Sequence, residues 1–335
     1  MNSDDAQDEL GRLLRSLDPA HTPVDTALTA QMLAIRDRIA GPAGSSSATS
    51  RTRPKLLAST LLPLVVVLLV VMGLIVLPSP SPASAYGPRP LAVTLNGRDA
   101  QRSANEVLSM LRQQPASQDV RRQRTAWWAI EMRDGRPPAP TPAVDTNISE
   151  IDWREDGRAH LVVIAGEAMF VDGSGTTTAR SDGRPVGGVI SDETFDAGEY
   201  QPSLTALPRA SDSLEAMLSM WGLTPHSTAG DFASVIPSAL LEWNPSSTSQ
   251  AVLFDALRQL EGFTVLGDTV DRLGRRGVAF EATTPEYPTR RFLVIMSAQT
   301  GRFLSIEQMT VGEDPHYVGV PDGTVVDYTA WPDEQ

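Results

Sequence analysis

Cysteine is absent from this chain of 335 residues. That excludes disulfide staples, thiol nucleophiles, thiolate zinc sites and redox sensing, so any exported part rests on its own core. Histidine is scarce. His160, His226 and His316 are scattered through the C-terminal part, with no pair at the i, i+3 or i+4 spacing of a zinc site. No Gly-x-Ser-x-Gly elbow and no phosphate-binding loop occurs. Asp172-Gly-Ser-Gly175 is glycine-rich but lacks the lysine that such a loop needs. The paired carboxylates Glu155-Asp156 and Glu313-Asp314 fall at expected turn tips, where acids are solvated. No catalytic residue, metal ligand or cofactor is therefore expected, and the chain does not read as an enzyme. Asn147-Ile148-Ser149 matches a glycosylation sequon, a short and unspecific pattern.

What the chain does have is a run of 22 residues without a charge, Leu56 to Leu77. At about 1.5 Å of helical rise per residue, the run can cross a hydrocarbon layer of roughly 30 Å. A helix in a soluble core rarely runs so long without a polar face. Arg51, Arg53 and Lys55 precede the run, and the first cation after it is Arg89. Positive charge resists translocation, so the N-terminus is expected in the cytoplasm and the C-terminal part outside the cell membrane. Pro78-Ser-Pro-Ser-Pro82 breaks the helix. Ala83-Ser84-Ala85 has the small-x-small form that signal peptidase cuts, but the length of the run favours a retained anchor over a cleaved signal. Residues 1–55 balance seven Lys/Arg against seven Asp/Glu, so the whole net charge of −13 falls on the exported part. Such a domain is repelled by nucleic acid, which is not an expected partner.

Residues 1–40 read as a cytoplasmic arm of two short helices. Leu10, Leu13, Leu14 and Leu17 form one stripe; Leu28, Met32, Ile35 and Ile39 form a second. Thr22 can cap the second helix, Pro23 fits its first position, and Gly41-Pro42 ends it. Isolated helices this short are marginal in water, so the pair is expected to pack as a weak hairpin, to lie on the membrane, or to dock on a cytoplasmic protein through these eight residues. A flexible basic linker, 41–55, ties the arm to the span at 56–77. A Pro-rich junction, 78–98, leads to the exported domain at 99–335.

That domain reads as α+β. A helix is expected over Asp99–Gln114, then a strand over Arg124–Met132 alternating Ala126, Trp128, Ile130 and Met132 with Thr125, Trp127, Ala129 and Glu131. Thr146–Arg154 and Ala159–Phe170 flank a hairpin turn at Glu155-Asp156-Gly157. Leu161 to Ile164 is apolar on both faces, which implies cover on both sides. Val171–Gly188 reads as a mobile surface loop. Helices follow over Ser211–Trp221, Ala229–Trp243 and Ser247–Leu260. Strands are expected over Phe263–Asp271, Arg276–Thr284, Arg290–Ala298 and Arg302–Val311, with Thr324–Trp331 as an edge strand. The expected architecture is a curved antiparallel sheet, a half-barrel, with helices across its concave face. Tryptophans usually belong to a core, but in that arrangement Trp127, Met132, Trp221 and Trp243 could line an apolar cavity for an acyl chain or an unfolded peptide.

Ala251-Val-Leu-Phe-Asp-Ala-Leu-Arg-Gln-Leu260, Gly262 to Val278, Arg291-Phe-Leu-Val-Ile and Thr300-Gly-Arg-Phe-Leu304 carry a resemblance. With the order of elements before them, they resemble a group of actinobacterial single-pass membrane proteins of unassigned activity, companions of extracytoplasmic-function sigma factors. The exported part also resembles the lipoprotein-carrier half-barrel of LolA and the sigma regulator RseB. The resemblance implies an anti-sigma-like arm with a sigma factor as cytoplasmic partner, and an exported sensor domain. It also implies a second reading, a membrane-anchored lipid or lipoprotein carrier. The His-x3-Cys-x2-Cys motif of zinc-type anti-sigma domains is missing, and the arm holds two helices where such domains usually hold four.

Overall fold

Short capping signals set the helices. The computed structural model describes residues 85–94, 99–115, 117–132 and 135–332, all within the unit Pro78–Gln335. The arm, the linker and Leu56–Leu77 lie outside the described residues. Among the described residues no helix is long and apolar enough to cross a membrane. Helix α1, Ala100–Gln113, starts where the Asp99 carboxylate accepts from the backbone N–H of Arg102 at 2.9 Å. α2 is Leu214–Ser219. α3, Ala229–Glu242, is capped by Asp231, whose carboxylate accepts from the Thr228 N–H at 2.8 Å. α4, Ser247–Gln259, starts on Ser246, whose hydroxyl accepts from the Ser249 N–H at 3.1 Å.

The strands are β1 Val93–Thr94, β2 Arg122–Ala129, β3 Ala143–Trp153, β4 Ala159–Phe170, β5 Thr176–Thr177 and β6 Val189–Phe195. After the helices come β7 Phe263–Val270, β8 Arg276–Thr283, β9 Arg290–Ser297, β10 Phe303–Thr310 and β11 Val325–Ala330. Every pairing is antiparallel, in the order β1-β7-β8-β9-β10-β11-β2-β3-β4-β5, with β6 also paired to β4. The sheet is curved and unclosed. The expected edge strand is instead central. β11 sits between β10 and β2, and Val325, Val326, Tyr328 and Ala330 are all buried there. A strand with four buried apolar side chains gains more in the middle of a sheet than at its margin.

Helices cover one face. Phe254 of α4 meets Phe280 at 5.2 Å, Phe263 at 5.9 Å and Phe303 at 6.4 Å, edge to face. Phe232, Ile236, Leu253 and Leu257 complete this core, each fully buried. The opposite face is covered by residues 85–94, an extended strap. Leu91 and Val93 lie on Ala279, Leu293, Ile295 and Leu304. Farther along, Ala85 packs with Trp128, Met169 and Tyr328. β9 therefore alternates Phe292, Val294 and Met296 toward the helices with Leu293 and Ile295 toward the strap, all buried. Double cover explains its continuous apolar run.

Leu161 to Ile164 differs from the expectation. All four are only half-buried, because this end of the sheet carries solvated pairs such as Arg124–Glu150 at 3.4 Å and His160–Asp192 at 2.7 Å. Residues 171–188 are also tied down rather than loose. The Arg180 side chain, 2% exposed, enters the sheet, donates to the Gly166 carbonyl at 2.7 Å and bonds the Thr146 carbonyl.

Asp327, between Gln308 and Ala129 in β11, has its pKa pushed up by burial to about 6. A carboxyl raised in the folded state stabilises it while protonated and loses that stability as pH rises from about 4 through 6. Asp327→Asn is therefore expected to raise stability at pH 7.5 by about 3 kcal/mol, with the gain vanishing near pH 4. Urea denaturation at the two pH values measures it.

Candidate functional site

The strap and the β7–β8 turn border an open cleft of about 610 Å³, lined by Leu91, Met169, Phe170, Val270, Arg272 and Arg276. The strap is held there by backbone contacts across the sheet. Ala85 exchanges hydrogen bonds with Thr141 at 3.0 and 2.9 Å, the Arg89 N–H donates to Val171 at 2.9 Å, and the Pro88 carbonyl accepts from Val325 at 3.2 Å. Gly87 permits this approach: a Cβ there would meet the Val325 carbonyl and, at 2.9 Å, the Trp128 ring.

Beneath the strap lies a buried ionic cluster. Arg272 Nη2 donates to Glu307 Oε2 at 2.8 Å, with the two side chains 6% and 0% exposed. It also donates to the Arg89 carbonyl at 2.9 Å, so the pair fastens the strap. Asp271, wholly buried, accepts from Arg275 at 2.6 Å, while Arg275 Nη2 donates to Leu304 at 2.9 Å. Burial pushes the Glu307 carboxyl above its usual range and Arg272 opposes this. Among the described residues, Arg272 Nε, Glu307 Oε1, Ser305 Oγ and Tyr328 Oη have no hydrogen-bond partner. Donors and acceptors both occur among them, which suits a small polar guest or ordered water. Of this cluster, Asp271 and Arg272 line the cleft, while Glu307 lies fully buried behind them.

Of the residues singled out in the sequence, Trp221 and Trp243 share one cluster with Leu204 and Leu207. Trp243 is 9% exposed and Trp221 stands edge-on to Phe232 at 5.2 Å. Trp127 lies apart on β2, donating from Nε1 to Ser149 Oγ at 2.7 Å, and Met132 follows the strand, half-buried. Ser149 is itself buried, so the sequon hydroxyl is engaged inside the fold. Leu10, Leu13, Leu14, Leu17, Leu28, Met32, Ile35 and Ile39 lie outside the described residues. Sequence reading missed Arg272 and Glu307, which meet only when the turn after β7 folds onto β10. It also missed Arg121, whose guanidinium is 4.0 Å from the Trp153 ring and 5.0 Å from Trp243.

The sequence matches no family model and no curated protein. Solved structures similar to it include two complexes. One is MucB in complex with MucA(peri), 12% identical, covering 70% of this chain and 54% of that one, with a TM-score of 0.24. The other is the Pseudomonas aeruginosa MucA/MucB complex, 9% identical, covering 68% and 53%, with a TM-score of 0.23. The chain spans about half the length of the solved structures it matches. At such scores the likeness supplies neither a site nor a partner for this chain.

Arg272→Met leaves Glu307 buried without its counter-charge and is expected to cost about 3–5 kcal/mol. Adding Glu307→Leu should restore most of that loss, because the desolvated carboxylate is then gone. Thermal unfolding of the wild type, the single variants and the double variant closes this cycle.

Proposed function

We propose that the chain is a single-pass, N-in membrane protein whose exported domain binds a ligand at the cell envelope. On this reading the cytoplasmic arm reports that binding to a cytoplasmic regulator in an anti-sigma-like manner, with a sigma factor as the first candidate. The observation that carries it is the uncharged run Leu56–Leu77, with cations crowded on one flank and a strap-covered acidic domain starting at Ala85 on the other. Only residues 78–84 separate the two, at most about 25 Å of extended chain. The two apolar stripes of the arm are the route by which an outside event would be read inside. The carrier reading has one observation in its favour, the 610 Å³ cleft with Leu91, Met169 and Phe170. Against it, the face beneath the helices is filled by Phe254, Phe280 and Phe303, which leaves the long cavity of a carrier no room there.

The lack of native cysteine makes the topology directly testable. Ser174→Cys, in an exposed turn, is expected to react with a membrane-impermeant maleimide on intact cells. Ser45→Cys should react only after permeabilisation; the reverse pattern defeats the reading. For the relay, full-length chain is expected to capture a specific cytoplasmic protein, and Leu14→Asp with Ile35→Asp should lower that capture at least tenfold. Equal capture by both forms removes the arm's role.

A further inference from the structure

β6 is the exposed margin of the sheet. Among the described residues it pairs with β4 alone, which leaves the backbone N–H and C=O groups on its other side unpaired along Val189–Phe195. Such an edge is a template for one more strand. The other margins, β1 and β5, are two residues long, too short to hold a partner. Side chains on β6 are accessible: Val189 is 61% exposed, and Asp192, Glu193 and Thr194 are exposed as well.

Charge decides between occupants. Residues 189–199 carry Asp192, Glu193, Asp196 and Glu199 and no Lys or Arg. His160 reaches Asp192 at 2.7 Å and Glu199 accepts from the Asp196 N–H at 2.9 Å, while Glu193 has no partner among the described residues. A second copy pairing antiparallel across β6 would set Asp192 and Glu193 against the same carboxylates, which is unfavourable. Adjacent residues of a strand point to opposite faces, so a complementary strand needs cations at two consecutive positions. It also needs an apolar residue opposite Val189.

We propose that the β6 edge docks an extended basic segment of another protein as a twelfth strand, with adjacent Lys or Arg residues facing Asp192 and Glu193. This deepens the binding role given above and does not depend on the membrane topology. The test uses full-length chain in detergent micelles and three synthetic peptides: TVTKKVTV, TVTEEVTV, and TVTKKVTV N-methylated at alternate residues. Anisotropy and hydrogen exchange of amides 189–195 are the readouts. The Lys-Lys peptide is expected to bind about tenfold more tightly than the Glu-Glu peptide and to protect those amides. The N-methylated peptide should not protect them. Asp192→Lys with Glu193→Lys should reverse the preference, and should that variant misfold, the peptide comparison on the unaltered chain still decides. The proposal fails if the Lys-Lys peptide protects nothing at millimolar concentration. It fails too if N-methylation changes nothing, since binding is then adsorption by charge alone. Protection that rises with protein concentration in the absence of peptide assigns the edge to a second copy and also overturns it. The maleimide labelling pattern is independent of these outcomes, so the two readings fail separately.

Discussion

The backbone pairing of β11 on both its edges is what makes one sheet out of two. Through Glu307↔Tyr328 and Tyr328↔Trp128 it joins the β7–β10 meander, which carries the helical core, to the β2–β4 meander, which precedes the helices in the chain. Tyr328, nearly inaccessible to solvent, packs among Trp128, Met169 and Val171 on the strap side. Trp331 turns the other way, meeting Phe303 at 6.3 Å and donating to Leu240 of α3 at 2.9 Å. Without this segment both meanders would present open edges, and a wide unpaired apolar sheet is prone to association.

Once joined, the sheet has two apolar faces to cover, and two different means cover them. The helices supply one cover with aromatic side chains. The strap supplies the other with few residues, so it relies on close approach at Gly87 and on the Arg272–Glu307 pair for fastening. Buried charge pairs contribute little net stability compared with apolar residues of the same volume. Their effect here is one of placement, since the Arg272 Nη2 that binds Glu307 also donates to the Arg89 carbonyl of the strap. Gly230 serves the same end on the other face. A Cβ there would lie 2.6 Å from the Thr283 backbone, so α3 rests directly on the sheet.

Cover of both faces also says where binding belongs. The interior beneath the helices is packed, while a cleft opens between strap and turn and the end of the sheet around β6 is less covered. That end carries polar rows, half-buried valines and a loop clamped by Arg180. This margin is acidic and incompletely covered.

Most elements were legible from local pattern. The helices expected over Asp99–Gln114, Ala229–Trp243 and Ser247–Leu260 are found within a residue or two, since helix pattern depends on near neighbours, and Asp156-Gly157 announces the β3–β4 hairpin for the same reason. β6 was missed because Val189 to Phe195 mixes acids with apolar residues and lacks the clean alternation of a half-buried strand. Trp127 and Trp243 were grouped by type, yet packing sends one to β2 and the other to the end of α3. By itself the sequence determined the hydrophobic runs, the absence of thiol chemistry, the charge balance and most helix and strand positions, since these depend on composition and on residues a few places apart. Only the tertiary structure decided that β11 is central, that 85–94 is a cover, and that Arg272 finds Glu307. Those outcomes turn on which edges and faces compete for burial, and that competition is between residues far apart in the chain.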